Sequence, residues 1–468
     1  MRYILIPAAS FIAAIALFSR EPRISASDRP MAERSPNLES RPSAVSPDTW
    51  NPASAATYLD QRATWWMTWS RSQRDHDTFC ISCHTAVPYA MARQSLRSPL
   101  AEAAPSPAEE RILANVTKRV RLWHEVAPFY SDKDRGAYKT VESRGTESVL
   151  NALVLASHDA PSGHLSDDTG AAFANMWAEQ VVNGPATAPG APVSRPAASA
   201  STAAPAKSNY DTPSASTAPA YADHPDQLGA WRWLRFKNEP WEADDSDFYG
   251  AALAAVATGT APENYRLRPE IQRNLKLLRD YLNRHAASAT LMNRVVALWA
   301  TAKIPGLLDL DQQRALLTDI LDRQQSDGGW SLPSLAGDWP RHDNTPQDPQ
   351  SDGYATGLIV YVLQQFAPAR DPAQPRSRFD GEALPATRRK PELAWLDGNL
   401  QPHLASAIHW LATHQDPATG YWPSASLNNS DAKHIGPETV RFMNDAATAY
   451  AVLALTSLPD ASAIRNPR

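Results

Sequence analysis

Glycine is scarce, 19 residues in 468, which excludes collagen-like and glycine-rich architectures. Long runs of Lys and Arg are missing as well, none exceeding three residues. With a net charge of -5, the chain has no electrostatic case for binding nucleic acid. The apolar run at the N-terminus, Tyr3 to Phe18, is too short for a spanning helix. At 1.5 Å per residue it reaches about 24 Å, against a hydrocarbon core of roughly 30 Å. Cysteine is scarcest of all: there are two, Cys80 and Cys83, both in the stretch TFCISCHTAV.

Proline, in contrast, is abundant at 40 residues, and helix formers dominate wherever it is absent. The composition predicts an α protein with Pro-rich connections. Met1-Arg2 before the apolar run has the form of an export signal, covering residues 1–20. Its cleavage site is poorly marked, Ser25-Ala26-Ser27 being the one small-x-small cluster nearby. The alternative is an uncleaved anchor that associates the chain with the membrane through residues 3–18. A disordered linker is expected over 21–48. The expected location is the bacterial periplasm.

Outside the cytoplasm free thiols rarely persist, so the two cysteines should be paired or otherwise blocked. They stand as Cys-x-x-Cys-His with His84. In that pattern both thiols can add to the vinyl groups of haem, while His84 becomes an axial iron ligand. The expected cofactor is therefore one covalent haem c. Met91 and His124 are candidates for the sixth ligand by proximity alone. The alternatives are a structural or redox disulfide between Cys80 and Cys83. Zinc would need a second Cys/His pair, and a thioredoxin-like dithiol a βαβ context; the sequence has neither.

A tract of Pro, Ala, Ser and Thr over 184–222 cannot bury enough apolar surface to offset its ordering entropy, and is expected to be a disordered insert. A second Pro- and Arg-rich loop spans 367–391, and a tail follows at 461–468. Between these, two kinds of helix alternate. One kind is amphipathic, such as EERILANVTKRVRLW with Ile112, Val116 and Val120, or PEIQRNLKLLRDYL with Ile271, Leu275, Leu278 and Leu282. The other is apolar on all sides, such as SDFYGAALAAVA from Ser246 and NDAATAYAVLAL from Asn444. Uncharged helices must be buried and amphipathic ones must cover them, so an inner ring inside an outer ring is expected. Toroid segments are assigned to 49–183 and 223–460.

The connections carry a sharper signal. After one amphipathic helix come Gln325, Gly328 and Trp330; after another, Trp410-Leu411, Gln415, Gly420 and Trp422. A degenerate copy is split by the insert, with Gln180 before it and Gly229-Ala230-Trp231 after it. These resemble the QW repeats of squalene-hopene cyclases and related class II terpene cyclases, over about 51–458. The resemblance implies an all-α chain, an α/α toroid whose Gln and Trp brace the turns between outer and inner helices. The Cys pair then takes the place of a Gly-x-Trp turn, with Trp65, Trp66 and Trp69 nearby to pack a porphyrin.

In that family an Asp-x-Asp-Asp motif at an inner-helix start protonates an alkene or epoxide. Here Glu242-Ala243-Asp244-Asp245 matches with Glu first, which makes Asp244 the equivalent of the proton donor. The plainer reading is that these acids cap a helix start, as Asp309 does elsewhere. Full-length cyclases pair two toroids and work without haem, whereas this chain has residues for about one. Single-toroid protein prenyltransferases use a zinc-bound cysteine, and neither cysteine is free for that role if both are thioether-linked. The reading that results is a single toroid with one haem c, acting in electron transfer or redox-linked binding of an apolar, isoprenoid-like ligand. A terpene-cyclase-like enzyme using Asp244, and a haem-free binding module with a disulfide, are the alternatives.

Overall fold

The computed structural model describes residues 50–183, 226–366, 395–430 and 436–457. The signal or anchor (1–20), the linker (21–48), the insert (184–222), the loop at 367–391 and the tail (461–468) lie outside the described residues. The described residues fall within one compact unit.

Among the described residues the fold is all-α apart from a two-stranded antiparallel ribbon, β1 (Gln73–Arg74) and β2 (Thr78–Phe79). The helices of seven residues or more among the described residues are α1 (Pro52–Thr68), α2 (Ala86–Ala92), α3 (Pro107–Arg121), α4 (Lys139–Asp159), α5 (Asp167–Ala178) and α6 (Ser246–Thr260). They continue as α7 (Gln272–His285), α8 (Leu291–Lys303), α9 (Leu310–Asp322), α10 (Gly353–Gln364), α11 (Trp395–Thr413) and α12 (Phe442–Thr456).

Packing separates them into two sets. The even-numbered helices pack in succession, α2 on α4, α4 on α6, α6 on α8, α8 on α10 and α10 on α12, and α12 packs back on α2. Each odd-numbered helix lies against an even-numbered neighbour: α1 on α2 and α12, α3 on α2 and α4, α5 on α4, α7 on α6, α9 on α8, α11 on α10 and α12. Side-chain chemistry accounts for the division. Every residue of α6 from Ser246 to Thr258 is buried, whereas α7 buries only Leu275, Leu278, Tyr281 and Leu282, a single stripe. Two of the amphipathic helices start on capping boxes. Ser106 and Glu109 form a capping box on α3, and Asp309 and Gln312 form one on α9.

Three turns leading into even-numbered helices share one set of bonds. The indole Nε1 of Trp231, Trp330 and Trp422 donates to the carbonyls of Met176, Ile320 and Leu411, at 2.6, 2.7 and 2.8 Å. The amide Nε2 of Gln180, Gln324 and Gln415 donates to the carbonyls of Gly229, Gly328 and Gly420, at 2.9, 2.7 and 2.8 Å. Each amide also reaches the next odd-numbered helix or its cap, at the carbonyls of Asn274, His403 and Asn51. In the middle copy the brace is therefore Gln324, not the expected Gln325. In all three copies the indole acceptor lies four residues before the bracing glutamine, and only Gln324 satisfies that register. Gln325 instead bonds the Pro349 carbonyl and the Ser351 hydroxyl.

The glycines of these turns, Gly229, Gly328 and Gly420, have φ of +99°, +95° and +82°. A Cβ on any of them would collide with the neighbouring odd-numbered helix, at Leu277, Ser406 or Ser54. Glycine is required twice over at these positions, for its left-handed backbone and for the close approach.

Candidate functional site around the Cys-x-x-Cys-His turn

The turn from α1 to α2 has its own construction. Asn115 of α3 clamps the strand residue before Cys80: its Oδ1 accepts from Phe79 N at 2.8 Å and its Nδ2 donates to the Phe79 carbonyl at 3.0 Å. Trp66 of α1 donates through Nε1 to the Cys80 carbonyl at 2.7 Å. Arg119, fully buried with Glu147, donates to the Thr78 hydroxyl at 2.6 Å. The Ser82 hydroxyl accepts from Thr85 N and Ala86 N, at 3.2 and 3.0 Å, and so starts α2 directly after the motif.

Both cysteines are free thiols, Cys80 buried and Cys83 half-buried. Burial pushes the Cys80 thiol up to about 11 and raises Cys83 well above its ordinary value. The imidazole of His84 stacks on Phe442 of α12 with centroids 3.8 Å apart, and meets Trp66 edge-on at 4.9 Å and Trp241 at 5.9 Å. Desolvation among these rings, aided by the Arg62 charge, lowers His84 to about 3, so the ring is neutral. Its Nδ1 is 2.8 Å from the Thr85 hydroxyl, and no hydrogen bond engages Nε2 among the described residues. Trp65 and Trp69 stack on each other at 5.0 Å beside Phe442.

Behind Thr85 lies a buried charge cluster that the motif does not announce. The Thr85 hydroxyl donates to Asp445 Oδ2 at 2.6 Å. Arg62 holds both oxygens of Asp445, at 2.7 and 3.0 Å, and Tyr58 donates to Oδ1 at 2.8 Å. Arg62 also reaches the Glu438 carboxylate at 2.6 Å. Tyr58 and Arg62 come from α1 and Asp445 from α12, so the cluster joins the two ends of the described chain. Sequence reasoning missed it, since 360 residues separate Thr85 from Asp445.

The carboxylate segment before α6 also meets this site, though not through the expected residue. Asp244 is exposed on the surface, not enclosed in an apolar cavity. Asp245 does not cap α6; it accepts from Asn293 Nδ2 at 2.9 Å and Thr290 N at 3.3 Å, at the start of α8. Glu242 is the acid of the three in low dielectric. Burial raises it to about 7, with Lys139 and Asn238 opposing, and its charge bears on both cysteines. Trp241 links the segment to the interior, donating to the Tyr354 hydroxyl at 3.0 Å.

The donor set fits covalent attachment of haem: two unpaired thiols, and a neutral imidazole with one nitrogen fixed and the other unengaged. Of the two distal candidates, Met91 is buried in α2 and His124 is exposed. Among the described residues no group of three or more His, Cys, Asp and Glu side chains could hold a metal ion; a haem iron would take only His84 from that set. Comparison with protein-family models, with curated proteins and with solved structures finds no match.

Proposed function

We propose that the described helices form a single α/α toroid, even-numbered helices inside and odd-numbered helices outside, which carries one covalent haem c. The packing of α12 on α2 and the bonds from Gln415 to Asn51 support closure of the ring. Cys80 and Cys83 would hold the haem through thioethers and His84 would ligate its iron through Nε2. The haem supplies one-electron chemistry when bound. The chain would act in electron transfer or in redox-linked binding of an apolar ligand, after export directed by residues 1–20.

One observation carries this reading: among the described residues His84 is hydrogen-bonded through Nδ1 and not through Nε2, in a Cys-x-x-Cys-His turn whose two thiols are free. The exposure of Asp244 argues against a terpene-cyclase-like enzyme that uses it as proton donor. The test is a pyridine haemochrome spectrum of protein made with the haem-attachment machinery and then denatured. A c-type spectrum is expected after denaturation. Loss of all haem at that step would contradict the reading.

A further inference from the structure

A hydroxyl group has one proton to give. The Thr85 hydroxyl gives it to Asp445 Oδ2, a carboxylate that also accepts from Arg62 and Tyr58 and has nothing to donate. At its 2.8 Å contact with His84, Thr85 must therefore accept, and the proton must sit on His84 Nδ1. The lone pair is then on Nε2, which no group among the described residues engages. Asp445 is 2% exposed and Arg62 is 3% exposed, so the geometry is fixed in a dry interior. The ring itself is clamped by Phe442 from the same helix as Asp445.

We infer that Thr85 and Asp445 are positioning residues: they set the tautomer of His84 and, through the chain Asp445–Thr85–His84, the electron-donor strength of Nε2. As an account of a haem ligand, this rests on the function proposed above; as an account of the tautomer, it stands on the contacts alone. An imidazole whose N–H leans on a hydroxyl that leans on a carboxylate is a stronger donor than one whose N–H is free. The stronger donor favours the ferric state, so breaking the relay should raise the midpoint potential. A role limited to tying α1 to α12 would leave both tautomer and potential unmoved.

Two readouts test it. In haem-free full-length protein with ¹⁵N-labelled histidine, the ring nitrogens of His84 should report Nδ1–H, and Thr85→Val should move the tautomer ratio at least tenfold toward Nε2–H. Thr85→Ser should restore the original tautomer. In haem-loaded protein, Thr85→Val should shift the ferric/ferrous balance about tenfold, which is roughly 59 mV upward for one electron. Nε2–H in the unmodified protein would overturn the inference, even if the valine variant failed to fold. So would an unchanged tautomer and potential in a folded Thr85→Val. Should the tautomer behave as stated while denatured protein carries no haem, the relay stands and the haem reading falls. If haem is retained but Thr85→Val moves nothing, the reverse holds.

Discussion

The side-chain amide of Gln415 grips both backbone groups of Asn51, accepting from its N–H at 2.5 Å and donating to its carbonyl at 3.1 Å, across 364 residues of chain. The same Nε2 donates to the Gly420 carbonyl at 2.8 Å. One side chain thus joins the last brace turn to the first helix. Asn51 is also the N-cap of α1, its Oδ1 accepting from Ala53 N and Ser54 N.

Gln415→Ala should therefore lose stability by about 1–3 kcal/mol, allowing about 1 kcal/mol net for each bond and less for the exposed pair. Chemical denaturation measures the total, and hydrogen exchange at Ala53 to Ala55 should rise selectively. The same comparison in the middle turn should find Gln324→Ala more costly than Gln325→Ala, because only Gln324 joins its turn to α11.

Gly420→Ala should cost more than Gly163→Ala. Both glycines have positive φ, +82° and +70°, so both substitutions carry a backbone penalty of about 1–2 kcal/mol. Around Gly163 a new methyl meets open space; at Gly420 it meets the Ser54 backbone of α1. Thermal melts of the two variants should differ clearly, and equal losses would mean that the turn does not press on α1.

These turns also mark what the sequence could and could not reveal. Gln415, Gly420 and Trp422 were legible because all three lie within eight residues. The division of helices was legible because a helix without charge cannot face water. Choosing between Gln324 and Gln325 was not, since adjacent glutamines differ only in which way the helix end turns them. Asp445 was invisible for a stronger reason. Its partners Tyr58, Arg62 and Thr85 lie far off in sequence, and an Asp in the first turn of an apolar helix is indistinguishable from a dipole-favouring acid. The Glu242-Ala243-Asp244-Asp245 match misdirected attention to Asp244 because a pattern fixes spacing and says nothing about which carboxyl the chain turns inward.

Asp244→Asn should change stability by no more than about 0.5 kcal/mol, as befits an exposed side chain. Asp245→Ala should cost about 1–2 kcal/mol through the lost bond from Asn293. Urea midpoints decide both. No cyclic product is expected from polyprene or epoxide substrates with either the unmodified protein or Asp244→Asn; a product that vanished with Asp244→Asn would revive the cyclase reading.

Glu239 should make stability fall as pH rises. It is 4% exposed, its Oε2 has no partner among the described residues, and burial together with Asp245 and Asp244 raises it to about 8. In the unfolded chain a glutamate releases its proton near pH 4.3 (roughly). The folded state holds the proton longer, so its contribution is complete below about pH 4.3 and is lost progressively up to about pH 8, by on the order of a few kcal/mol. Glu239→Gln should flatten that decline and leave the variant more stable than the unmodified protein at pH 8. A parallel decline in both proteins would contradict this assignment.

The central claim is that Cys80, Cys83 and His84 attach and ligate haem, and the intact mass of the denatured, exported protein tests it most directly. The expected mass is that of the polypeptide plus one haem, falling to the bare polypeptide when Cys80 and Cys83 are both replaced by Ala. A mass equal to the polypeptide alone, or to the polypeptide less two hydrogens for a Cys80–Cys83 disulfide, would contradict the account.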